Sequence, residues 1–96
     1  MINFLGYKCQ VIFSKYRNGR TAIRLIDTED SSPVLTATIN IPDIKKLGTD
    51  EAIIKNYSEN EGVLDTLIDA GYISEPIYWI TTGHVSYPVC KLLKTE

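Results

Sequence analysis

Tyr57-Ser58-Glu59-Asn60-Glu61-Gly62-Val63-Leu64-Asp65-Thr66-Leu67-Ile68-Asp69-Ala70-Gly71 is the stretch whose reading decides the fold. It carries a start signal, an apolar stripe and a stop signal for one helix. Ser58 followed by Glu61 fits the capping box, in which each side chain satisfies the other residue's backbone N–H. Glu59 and Glu61 add negative charge at the positive end of the helix dipole. Val63, Leu64, Leu67 and Ile68 recur at helical spacing and give one apolar face. Gly71 supplies the left-handed residue that ends many helices. Gly62 is the odd choice, since glycine inside a helix costs roughly 1 kcal/mol relative to alanine. Close approach of the first turn to a sheet would explain it.

The segments on either side read as strands. From Phe4 to Tyr16, Leu5, Tyr7, Cys9, Val11 and Phe13 alternate with mostly polar residues, with Ile12 breaking the pattern. Arg17-Asn18-Gly19-Arg20 then signals a hairpin. A two-residue Asn18-Gly19 loop would set Phe13 against Arg24 and Val11 against Ile26. A three-residue loop, Arg17-Asn18-Gly19, sets Phe13 against Ile23 and Val11 against Leu25, which joins one apolar face. Register follows the buried face, so the sequence predicts the longer loop, with Gly19 left-handed in a bulge. Thr21–Asp27 is the second strand, and 28–33 is a polar turn cluster. Val34–Ile41 reads as the third strand, ended by Pro42, and 43–50 as a loop or one irregular turn. Glu51–Lys55 is a short fourth strand. After the helix, Ile77-Tyr78-Trp79-Ile80 is strand, Thr82-Gly83 turns, and Val85–Leu93 is the last strand, with Pro88 predicting an edge or a bulge. The expected class is α+β: an antiparallel sheet of about five to six strands with a single helix packed on one face.

Ninety-six residues at 44% hydrophobic suffice for one domain, 1–96, with its own core. Cys9 and Cys90 are too few for a disulfide scaffold. The first residues carry no long apolar run or small-residue cleavage site, and no segment is long and apolar enough to span a bilayer. A reducing cytoplasm and no membrane association are therefore expected. Net charge is −2, but residues 1–26 hold five basic groups and no acid, while 27–96 hold five lysines against twelve acids. Such asymmetry marks either an interaction surface or internal complementarity.

The segment Ile54-Lys55-Asn56-Tyr57-Ser58-Glu59-Asn60-Glu61-Gly62-Val63-Leu64 resembles a family of small bacterial and mobile-element proteins that is known only as a domain of unknown function. The resemblance extends to Gly6-Tyr7-Lys8-Cys9-Gln10-Val11, Asn18-Gly19-Arg20-Thr21-Ala22, Ala37-Thr38-Ile39-Asn40-Ile41-Pro42, Ala70-Gly71 and Pro88-Val89-Cys90-Lys91-Leu92. It covers nearly the whole chain, and 72–83 departs from the pattern. It implies an accessory gene of gut bacteria or their phages. It implies no activity, cofactor or catalytic residue.

Cys9, Cys90 and His84 are the only thiol and imidazole groups. Three soft ligands fall one short of a closed zinc site, and both cysteines sit in apolar settings where cysteine packs as a small hydrophobe. No phosphate-binding glycine loop and no paired acid and base can be named, so the sequence predicts a protein that is not an enzyme and uses no cofactor. Three surfaces remain. Lys15, Tyr16, Arg17, Arg20 and Arg24 at the hairpin tip combine basic groups with an aromatic, a pattern that can follow nucleic acid or simply solvate a strand end. Glu61, Asp65 and Asp69, at i, i+4 and i+8, form an acidic ridge that suits a basic partner or plain solvation. Tyr78 and Trp79, with Tyr72 and Tyr87, suit either an interface or the core. The leading expectation is a small non-enzymatic module that binds an unidentified protein partner through Tyr78 and Trp79 or the acidic ridge. The alternative is nucleic-acid association through residues 15–24.

Overall fold

In the computed structural model, which describes residues 1–94, the expected N-terminal strand is two strands. Leu5 and Gly6 both take positive φ, 53° and 82°, the backbone of a two-residue hairpin turn. They join β1 (Ile2–Phe4) to β2 (Tyr7–Lys15), with Phe4 opposite Tyr7. Leucine seldom takes that conformation, so no turn signal marked it.

β2 pairs with β3 (Thr21–Asp27) in the register the apolar faces require: Val11 opposite Leu25 and Phe13 opposite Ile23. The three-residue loop forms as expected. Gly19 N–H donates to Tyr16 O at 2.9 Å, Tyr16 N–H donates to Arg20 O at 2.7 Å, and Gly19 has φ +88°.

β4 (Pro33–Thr36) completes a four-stranded antiparallel sheet in the order β1-β2-β3-β4. The strand expected to reach Ile41 stops at Thr36 because the chain changes sheets. Ala37 N–H still donates to Ile23 O at 2.7 Å, but Ala37 O accepts from Lys55 N–H at 2.8 Å, and Ile39 N–H donates to Ile53 O at 3.1 Å. Thr38 bridges Ile54. The backbone pairing thus passes from one sheet to the other across Ala37–Ile39.

The second sheet is β5 (Glu51–Ile53), β6 (Tyr78–Thr82) and β7 (Val85–Lys91), antiparallel in the order β5-β7-β6. The class is α+β, as expected, with seven strands divided between two sheets among the described residues. β7 is central, so Pro88 lies at neither an edge nor a bulge. Its carbonyl accepts from Ile54 N–H at 2.9 Å, so its ring nitrogen also faces the β5 side. There it meets the position just past the end of β5 at Ile53, where little of the ladder is left to lose.

The helix begins later than expected. Ser58–Asn60 is a single 3-10 turn, and α1 runs only from Val63 to Asp69. Ser58 has φ +59° and its side chain caps nothing, so the expected capping box is absent. Asn56 supplies the cap instead. Its Oδ1 accepts from Gly62 N–H at 3.1 Å and Leu64 N–H at 2.9 Å. Gly62 precedes the helix at φ +97°, and a Cβ there would lie 3.7 Å from the Phe4 ring, an ordinary contact. Backbone conformation, not crowding, selects glycine. The C-terminus is as expected: Gly71 at φ +82° donates to Ile68 O at 2.9 Å and Tyr72 N–H to Leu67 O at 3.0 Å, a Schellman ending.

Val63, Leu64 and Leu67 of α1 pack with Ile2, Phe4, Val11, Leu25, Ile54 and Cys90 into the main core. A smaller cluster, Ile53, Ile80, Tyr87 and Val89, lies on the other face of the second sheet. Ile39, Ile41, Ile44 and Leu47 from the long connection cover it, a satellite core under a loop.

Asn56→Ala should lower unfolding free energy by about 1 kcal/mol or more, because two helix-start donors lose their acceptor. Ser58→Ala should cost only a few tenths of that. Urea denaturation of the two variants decides it, and equal losses would restore Ser58 as the cap.

Candidate functional site

The basic hairpin tip is docked rather than free. Tyr16 is half-buried and its hydroxyl lies 2.8 Å from Thr38 Oγ1. The Arg20 guanidinium donates to Ile41 O at 2.7 Å and also to Ile44 O. Asn18 Nδ2 donates to Asn40 Oδ1 at 3.1 Å, while Asn18 Oδ1 accepts from Arg20 N–H at 3.2 Å. The tip therefore clamps residues 38–44, the segment that covers the satellite core. Lys15, Arg17 and Arg24 are exposed. Arg24 sits well along β3, opposite Ile12 and Thr36. A phosphate-following surface would thus lack its stacking tyrosine and one arginine. A cleft of about 390 Å³ beside the tip is lined by Tyr16, Thr38, Asn40, Lys55 and Glu59, and Lys55 and Glu59 pair with each other at 3.2 Å.

The acidic ridge is only partly assembled. Asp65 and Asp69 are exposed on α1, but Glu61, also exposed, lies before the helix starts. It does not continue their line.

The aromatic residues divide sharply. Tyr72 is buried against Phe13, with Lys94 Nζ 4.3 Å from its ring centre. Tyr87 is buried edge-on to Tyr57, their hydroxyls 3.3 Å apart. Tyr78 and Trp79 are on the surface with Ile77, at 38%, 57% and 44% exposure. Tyr78 donates its hydroxyl to Glu51 Oε1 at 2.8 Å, and the same oxygen accepts from Gly48 N–H at 2.9 Å. Burial, and then that bond, raise the Tyr78 hydroxyl above its ordinary value. Trp79 points to the opposite face of the sheet, as alternate strand residues do.

Sequence reasoning found Tyr78 and Trp79 but missed that β6 is an edge strand, with β7 as its single neighbour among the described residues. The run from Pro76 to Gly83 holds no charged residue, a pattern that reads as a covered strand and gives no signal of an edge. Leu5 and Tyr7 are also exposed. They belong to the β1–β2 turn, whose edge strand is only three residues long.

Cys9 and Cys90 are fully buried in the main core. Burial raises both thiols, with Asp27 adding to the effect at Cys9. Burial, with a lesser contribution from Glu75, pushes Cys90 up to about 11. An activated nucleophile needs the opposite shift. His84 is exposed in the β6–β7 turn. Among the described residues, no group of histidine, cysteine and acidic side chains is placed to hold a metal. No helix among the described residues is long and apolar enough to cross a membrane.

No protein-family model matches the chain, and no curated protein or solved structure is similar enough to it to count as a match.

Arg20→Ala should destabilise by about 1.5–3 kcal/mol, because it removes charge-assisted bonds that hold the 41–44 segment. Arg17→Ala should stay within about 0.5 kcal/mol of wild type. Thermal melts of both test the clamp. Cys90 also sets a pH dependence. Its thiol ionises near 9.0 when unfolded and about 11 when folded, so its contribution to stability is complete below the lower value. As pH rises between the two, the unfolded chain loses the proton first and stability falls. Urea titrations at about pH 8 and about pH 10.5 should show a smaller loss for Cys90→Ala than for wild type.

Proposed function

We propose that this chain is a small non-enzymatic protein-interaction module whose contact surface is the open edge of β6 with Ile77, Tyr78 and Trp79. The observation that carries the reading is Trp79. It is 57% exposed on an edge strand inside an eight-residue run, 76–83, without charge. Soluble proteins usually blunt such edges with lysine, proline or a covering segment. Tryptophan and tyrosine are the residues that most often dominate binding energy in interfaces. An extended partner segment can add to such an edge through main-chain bonds, with side-chain contacts giving specificity. The two buried thiols, both raised, support the non-enzymatic reading. The docking of Tyr16 and Arg20 onto 38–44 favours a structural role for the hairpin.

The test is affinity capture from the native host, with and without nuclease, using wild type and Trp79→Ala. Protein partners should survive nuclease. Trp79→Ala should lose them, at a cost of about 2 kcal/mol or more in binding, while its melting temperature stays near that of wild type. Capture that depends on nucleic acid, or that ignores Trp79→Ala, would sink the proposal.

A further inference from the structure

We infer that the partner fitting the β6 edge is a second copy of this chain, joined by antiparallel β6–β6 pairing into one continuous six-stranded sheet. The inference rests on the protein-interaction reading of that edge.

The other sheet edges are poor places for a strand to add. β1 has three residues. β4 begins at Pro33, and its Thr36 carbonyl already accepts from Asn60 Nδ2 at 2.7 Å. β5 is flanked by Thr38 and Ile39. β6 has five residues and no strand on its outer side among the described residues.

Its backbone is set to pair. Pro88 turns its carbonyl toward β5, so the alternation of the ladder turns Tyr87 and Val89 toward β6. Their partners Ile80 and Tyr78 answer them. Trp79 and Thr81 then direct N–H and C=O outward, away from β7. A two-fold axis beside Ile80 sets Trp79 opposite the partner's Thr81, and Thr81 opposite the partner's Trp79. Each pair exchanges both backbone bonds, so one strand supplies what the other lacks. The two Trp79 side chains become diagonal neighbours on one face, within reach of each other.

Charge selects the same occupant. β6 offers no counter-charge to a charged strand, and its own uncharged copy needs none. The first ionisable groups outside the run are Glu75 and His84. In this register each Glu75 falls near the partner's His84, and the two acids lie at opposite ends. The contact is self-complementary, which a two-fold interface requires.

The test is the solution mass over a concentration series, by light scattering or sedimentation. Wild type should move from the 10.8 kDa monomer toward twice that mass. Trp79→Glu with Thr81→Glu sets like charges opposite each other and should remain monomeric, with unchanged circular dichroism. Trp79→Lys with Thr81→Glu sets opposite charges across from each other and should dimerise again. Independently of any variant, the Trp79 and Thr81 amides of wild type should exchange more slowly as concentration rises. A wild type that is monomeric throughout, without that amide protection, overturns the second-copy inference. If Trp79-dependent capture of another protein persists in that case, the interaction reading stands; if it is also lost, both fail. A dimer indifferent to the paired glutamates, or one not recovered by the lysine–glutamate pair, also overturns the inference.

Discussion

One buried hydroxyl, that of Thr38, stands where the chain leaves the first sheet for the second, and much of the architecture hangs on it. Its Oγ1 accepts from Ile23 N–H at 3.2 Å. Ile23 is fully buried, and β4 has already ended before that point, so without the hydroxyl a core strand would hold an orphaned donor. Leaving such a group unpaired costs about 1–3 kcal/mol. The same oxygen meets the Tyr16 hydroxyl, which ties the hairpin tip to the crossing. Arg20 then reaches the next stretch of the connection, and that stretch roofs Ile53, Ile80, Tyr87 and Val89. The crossing, the hairpin and the satellite core are thus one mechanical unit.

The charge asymmetry of the sequence takes on a different meaning in this light. Five basic groups in the first 26 residues suggest a surface, yet Arg20 serves backbone carbonyls inside the fold. Arginine suits that position because its planar head presents several donors at fixed angles, and two neighbouring carbonyls can be held at once. A lysine would hold them less rigidly. Lys55 and Lys91 are paired with Glu59 and Asp50, so part of the remaining charge is local complementarity too.

What could be read in advance follows from periodicity. The β2–β3 register was legible because one loop length aligns Val11 with Leu25 and Phe13 with Ile23, whereas the other buries Arg24. Gly71 was legible because glycine after an apolar helical stripe has one common role. The failures share a cause, which is tertiary choice among local options. Ser58 can cap a helix, but Asn56 does so from outside, and Ser58 takes a left-handed conformation that serine seldom favours. Leu5 turns the chain without looking like a turn residue. Pro88 sits in a central strand because the strand beside it stops. None of these depends on composition nearby, and each becomes visible only once the neighbouring segment is in place. The candidate site was half legible: Tyr78 and Trp79 stood out as aromatics, but their position on an edge depends on sheet order.

The side chains of the aromatic residues set that edge apart from the rest of the surface. Tyr16, Tyr57, Tyr78 and Tyr87 each place the hydroxyl against a named oxygen, and Tyr72 lies between Phe13 and Lys94. The fold therefore uses most of its large polar aromatics as ties between segments. Trp79 is different: more than half of it faces solvent, and the residue opposite it on β7 is Pro88, a ring with no backbone donor. A serine or threonine at position 79 would maintain the strand at less hydrophobic exposure. The same strand leaves its outer backbone groups open and carries no charge to repel a neighbour. An apolar ring, open hydrogen-bonding groups and neutrality meet on these five residues, and the proposed pairing of one β6 with another rests on that coincidence.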